Sequence, residues 1–169
     1  MLATLCEGKT VLYNAACEPH VVGLCQMLNN MGAKISGIGS NRIEVEGVAR
    51  LHGCKHKISA DFMEVGSFLC LGAMCQGEIT VEEADNHQMQ YPLRVFQRLG
   101  LELEQSGNSV TVKANERPVI KRDLDGRVGA VKSGPWPAFP TDLMSVSIVA
   151  ATQAVGTVIF FEKMFEGRM

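Results

Sequence analysis

The sequence predicts an α+β fold built from repeated subdomains of strand, helix, hairpin and helix, a βαβαββ-type unit. Two observations predict it. The stretches "ATLCEGKTVLYN", "LGAMCQGEITVEE" and "ATQAVGTVIFFE" share one pattern: an apolar helix end, a glycine, then a run rich in β-branched residues. The glycines are Gly8, Gly77 and Gly156, and glycine just past a helix fits a left-handed cap. In addition, two stretches alternate polar and apolar residues around a tight turn, "AKISGIGSNRIEVEG" and "LELEQSGNSVTVKA".

Each element follows from local pattern. After the first strand, Val21, Val22, Leu24, Cys25, Met27 and Leu28 form the apolar side of a helix that ends at Gly32. The first hairpin follows, and its Gly-x-Gly is a turn, because a strand and no helix comes after it. A second helix starts near Asp61 and runs through "VGSFLCLGAMC". The unit then recurs after about seventy residues. Leu93, Val95, Phe96 and Leu99 line its helix, which ends at Gly100, and its hairpin turns at Ser106-Gly107-Asn108. The charged, glycine-containing segment 116–134 interrupts the pattern and reads as a solvated loop. Its basic residues Arg117, Lys121, Arg122, Arg127 and Lys132 are alternatively a place for an anion. The expected division is 1–60 for a first subdomain portion, 61–134 for a second, and 135–169 for the start of a third, incomplete one.

Composition narrows the function. Hydrophobic residues make up 46% of the 169, enough for a core, and charged residues only 20%. A net charge of −2 argues against nucleic-acid binding by phosphate neutralisation. Six cysteines without a Cys-x-x-Cys pair read as reduced thiols of a cytoplasmic protein, and no basic leader is visible. Residues 143–161 are uncharged over the length of a membrane span, but a helix, a glycine and a strand explain them better. In "LHGCKHK", His52, Cys54 and His56 would share one face of a strand as zinc ligands. No fourth ligand is evident, so a half-exposed strand is expected and no metal or other cofactor is assigned.

The stretch "GPWPAFPTDLMSV" leaves two readings open. Thr141 or Asp142 caps a helix start, with the prolines preventing an earlier one. Alternatively, Asp142 stands at the mouth of a cleft and takes a proton, framed by Pro135, Pro137 and Pro140. In "FEKMFEGRM", Phe160, Phe161 and Phe165 read as core, and Glu162, Glu166 and Arg168 as surface charges.

The whole stretch "GPWPAFPTDLMSVSIVAATQAVGTVIFFEKMFEGR" resembles the enolpyruvyl transferases, and so does "GKTVLYNAACEPHVVGLCQMLNNMGAKISGIGSNRIEVEGVARLHG", so that the resemblance covers nearly the whole chain. Glu18-Pro19 and Met31-Gly32-Ala33-Lys34 favour the branch that acts on UDP-sugars. The resemblance implies an inside-out α/β barrel and a transferase. Its reaction moves the enolpyruvyl group of phosphoenolpyruvate to the 3-hydroxyl of UDP-N-acetylglucosamine, the first committed step of peptidoglycan synthesis. It implies Asp142 as the base and a substrate-binding residue, Met164 as a substrate contact through backbone, and Arg168 as the cationic partner of phosphoenolpyruvate. Departures from the family pattern stand at His20, at Gly167 and in "SADFMEVGSF". The resemblance also implies a central piece of a longer protein that is inactive alone and whose uncovered strand edges promote self-association. The alternatives are a 3-phosphoshikimate acceptor, or a non-catalytic α/β module that binds an anion or regulates a partner.

Overall fold

The structure, a computed structural model, describes residues 1–167. Contacts divide the chain into two compact units, Met1–Ser59 and Ala60–Met169.

In the first unit, strand β1 (Lys9–Tyr13) leads to helix α1 (Pro19–Asn30), then strands β2 (Lys34–Ser36) and β3 (Arg42–Glu46). The strands form an antiparallel sheet in the order β1-β3-β2. Pro19 opens α1 where its missing N–H costs nothing. The Asn29 side chain fixes the exit: its Nδ2 donates to the Ile35 carbonyl at 2.8 Å and its Oδ1 accepts from the Ile35 amide at 2.9 Å. Alternation in β3 then sends Ile43 and Val45 beneath Cys25 and Leu28 of α1. The Gly-x-Gly is the hairpin turn the spacing predicts, with Gly37 and Gly39 both at positive φ.

The second unit repeats this plan with more cover. Helix α2 (Phe62–Met74) precedes strand β4 (Ile79–Val81), helix α3 (Asn86–Arg98) and strands β5 (Leu103–Ser106) and β6 (Ser109–Val112). The sheet order is β4-β6-β5, again antiparallel. The expected start of α2 is observed: the Asp61 side chain accepts the Met63 amide at 2.8 Å, a standard N-cap. Strand β7 (Gly129–Lys132), a 3-10 turn (Thr141–Leu143), helix α4 (Met144–Thr152) and strand β8 (Val158–Phe161) complete the unit. Gly66 of α2 lets the helix approach closely, because a Cβ there would lie 2.6 Å from Leu143. Residues 135 onward contribute Phe139, Leu143, Met144 and Ala150 to the same core as α2, α3 and β6.

Several expectations change, among them the core reading of Phe161 and Phe165, which are 51% and 54% exposed. Gly8 and Gly156 adopt positive φ as predicted, but in the second repeat Gln76 takes the left-handed position in place of Gly77. Segment 116–134 is a solvated loop only at its tip, where Leu124 is fully exposed. Its two ends are built into the fold: β7 pairs in parallel with β8, and the Ile120 amide donates to the Val155 carbonyl at 2.9 Å. The stretch holding His52, Cys54 and His56 is not a strand. The His52 amide donates to the Met31 carbonyl at 2.9 Å, which ties it to the end of α1 and not to a sheet edge. Finally, neither Thr141 nor Asp142 caps a helix through its side chain, because the chain enters α4 by way of the 3-10 turn. Among the described residues, no helix is long and apolar enough to cross a membrane.

Candidate functional site

The aromatic-proline lead acts as an anchor. Trp136 packs on Phe62 of α2 with ring centroids 5.2 Å apart. Phe139, fully buried, meets Phe96 of α3 edge-on at 6.1 Å. The Trp136–Pro137 peptide is cis. Between the anchors, the Gly134 amide donates to the Phe139 carbonyl at 3.0 Å and the Ala138 amide to the Pro135 carbonyl at 2.9 Å. The 3-10 turn then buries Thr141 and Leu143 on either side of Asp142, whose own side chain is exposed. The lead therefore presents one carboxylate at the surface from a rigid base.

A second carboxylate organises the surroundings. Glu162 follows β8, and its Oε1 accepts from Ser133 Oγ at 2.8 Å and from the Met164 amide at 2.6 Å. Ser133 is 3% exposed and sits just beyond β7. Its Oγ also accepts the Lys163 amide at 3.4 Å, and its own amide donates to the Phe161 carbonyl at 3.2 Å. Glu162 Oε2 is buried without a hydrogen bond of ordinary geometry among the described residues. Burial by itself would raise the Glu162 carboxyl. The Ser133 hydroxyl, the Met164 amide, the Thr141 hydroxyl and the Phe165 amide together outweigh it and hold the group below the ordinary carboxylate value.

Of the residues singled out in the sequence, Asp142 and Met164 are thereby brought into one region, since Glu162 bonds the Met164 amide and Ser133, and Ser133 is bridged to Phe139, three residues before Asp142. Met164 is 39% exposed. Arg168 lies outside the described residues. Glu162, expected as a loose surface charge, is instead half-buried and fully engaged through Oε1. Sequence reasoning missed it together with Ser133, because their bond spans 29 positions and neither neighbourhood shows a periodic signal. The basic residues of segment 116–134 do not converge. Arg117 and Lys121 line a depression of about 310 Å³ with Asn115 and Glu102. Arg127 pairs with Asp125, and Arg122 donates to the Gly126 carbonyl. Among the described residues, no group of three His, Cys, Asp or Glu side chains is placed to hold a metal.

Comparison with known proteins decides the family. The family model described as EPSP synthase (3-phosphoshikimate 1-carboxyvinyltransferase) matches residues 1–169. The chain belongs to the EPSP synthase family. Two relatives are named UDP-N-acetylglucosamine 1-carboxyvinyltransferase. The one from Borreliella burgdorferi is 50% identical over 169 residues, covering 100% of this chain and 40% of the relative. The one from Treponema denticola is 47% identical over 170 residues, with 100% and 40% covered. The chain thus spans about two fifths of the length of these relatives. Among solved structures, the enolpyruvyl transferase NikO from Streptomyces tendae superimposes with a TM-score of 0.78 at 19% identity, over 98% of this chain and 39% of that one. The fold is therefore the enolpyruvyl transferase fold, and in this EPSP synthase family member the described residues form two open three-stranded sheets and a parallel pair.

Proposed function

We propose that the chain is the central part of an enolpyruvyl transferase acting on UDP-N-acetylglucosamine and phosphoenolpyruvate. The observation that carries this reading is the 50% identity, over every residue, to a relative named for that reaction. The enzyme so formed is cytoplasmic and commits carbon to peptidoglycan. Residues 1–60, 61–134 and 135–169 are pieces of its subdomains, arranged as an inside-out α/β barrel.

Chemistry at Asp142 suits the reaction. An alcohol adds to the C2 carbon of phosphoenolpyruvate more easily when its proton is accepted as the C–O bond forms, and a carboxylate within hydrogen-bond reach does this. In the same step C3 gains a proton from an acid outside this chain. Phosphate then leaves C2 as C3 gives up a proton, which restores the double bond in the transferred group. Backbone at Met164 contacts the sugar nucleotide, and Arg168 forks onto an anionic oxygen of phosphoenolpyruvate. The chain alone does not turn over, because further cations for the phosphate lie elsewhere in the parent.

Replacing Asp142→Asn in the full-length parent is expected to lower turnover by about 10²- to 10⁴-fold, the range for loss of a general base. A phosphate-release assay reads the result, and near-normal turnover would overturn the assignment. A 3-phosphoshikimate acceptor is the second reading, prompted by the description of the matching family. Titrating the parent with each acceptor separates the two.

A further inference from the structure

Among the described residues, the Glu162 carboxylate ties together separate parts of the chain in this region. It accepts from Ser133 after β7 and from the Met164 amide after β8, and Ser133 is bridged in turn to Phe139, just before the 3-10 turn. Ser133 and Phe139 are both buried. Such a carboxylate contributes little as a free surface charge. Its bonds fix relative positions, because a charged acceptor holding several donors has one good arrangement.

We propose that Glu162 is a positioning residue of the substrate site. It holds the Met164 backbone directly and the Thr141–Asp142 turn through Ser133, without touching substrate. This inference rests on the reading that Asp142 and Met164 meet the sugar nucleotide. It accounts for why a half-buried glutamate stands where β8 ends, with one oxygen, Oε2, buried and unbonded among the described residues. It also assigns a task to the buried Ser133 hydroxyl, which spends its proton on Glu162 Oε1 and its lone pair on the Lys163 amide.

The test uses the full-length parent and the variants Glu162→Ala, Glu162→Gln, Ser133→Ala and Asp142→Asn. Steady-state kinetics with both substrates and amide hydrogen exchange at Met164 are the readouts. Glu162→Ala is expected to lower kcat/KM by about ten- to a hundredfold, the cost of a misplaced reacting group, with a raised KM for the sugar nucleotide. The Met164 amide should exchange faster in the same variant. Glu162→Gln keeps an acceptor oxygen for Ser133 and Met164, so it should recover most of both effects. Ser133→Ala should shift both in the same direction by less, and it decides the matter if Glu162→Ala does not fold. Unchanged Met164 exchange, kcat/KM within twofold of the parent, or Gln no better than Ala each overturn the proposal. Failure of the underlying reading looks different. Asp142→Asn would then turn over normally, while Met164 exchange would still respond to Glu162.

Discussion

The sheets of the two units have the same strand order and the same antiparallel register logic, β1-β3-β2 in one and β4-β6-β5 in the other. They differ in what covers them. In the first unit a single helix, α1, lies over Ile35, Ile43 and Val45, and its own Leu24 and Met27 remain 38% exposed. In the second, α3 is joined by α2 and α4, and Leu69, Met89, Phe96, Val110 and Val112 are completely buried. One hairpin plan therefore yields a thin core or a deep one, depending on which helices the rest of the chain adds.

Truncating each core gives the largest test of that difference. Phe96→Ala empties the centre of the deep core and should cost about 3–5 kcal/mol, whereas Leu28→Ala in the thin core should cost about 2–3 kcal/mol because nearby groups can collapse inward. Trp136 is the only tryptophan in the sequence and packs on Phe62, so its fluorescence follows the second unit. Urea unfolding read at Trp136 should shift strongly for Phe96→Ala and much less for Leu28→Ala. Equal shifts would show that the two cores are not separate units of stability.

This contrast was partly legible in the sequence. Helices α1 and α3, the cap at Asp61 and both hairpins are written in local periodicity and turn residues, which act within a few positions. Strand β7 was not legible. It is four residues long and its parallel partner β8 lies beyond the 3-10 turn and α4, so no local alternation marks it. The same distance hid Ser133 and Glu162. At Asp142 the expected helix capping was not found, since a 3-10 turn uses backbone bonds such as Leu143 amide to Pro140 carbonyl at 3.1 Å. Asp142 and Met164 stood out as candidates through the family resemblance, whereas the Ser133–Glu162 link beside them had no local mark in the sequence.

Cysteine reactivity sharpens the comparison at a smaller scale. Cys70 on α2 is completely buried, and burial pushes its thiol from 9.0 up to about 12, which leaves about a thousandfold less thiolate at neutral pH. Cys25 on α1 is also raised by burial, though it is 8% exposed. Cys6 and Cys75 are exposed. Under native conditions a thiol reagent should modify Cys6 and Cys75 first, Cys25 more slowly and Cys70 last, as mass spectrometry of timed digests would show. Labelling of Cys70 before Cys25 would invert the thin-core and deep-core assignment.

The smallest expected difference lies in the ion pairs on the two sheets, and it has opposite sign with pH. On the first sheet, Lys9 bonds Glu44 at 2.6 Å and Lys34 bonds Glu46 at 2.7 Å, and these bonds hold both carboxyls below their ordinary value of 4.5. A lowered carboxyl stabilises the fold above its unfolded value and loses that contribution as pH falls through the folded one. On the second sheet, Glu78 and then Glu104 raise Lys113 above 10.5, at 3.2 and 3.3 Å. A raised lysine stabilises below 10.5 and loses its contribution as pH rises through the folded value. Glu162 adds an acid-side loss to the second unit and the buried Cys70 thiol adds an alkaline-side one, so Lys113 is isolated only by comparing the parent with a Lys113 variant. Methyl NMR signals of Val45 and Val112, followed through urea at several pH values, should show an acid-side loss at the first sheet that includes Glu44 and Glu46, and an alkaline-side loss at the second that includes Lys113. Both effects should be modest and should shrink in high salt, because every pair is at least partly open to solvent and screened. Lys113→Gln should reduce the alkaline limb, leaving the part that belongs to the buried Cys70 thiol, and leave the acid limb of Val45 untouched. An alkaline limb unchanged by this substitution would mean that the deep core, and not its surface pairs, sets the alkaline response of the second unit.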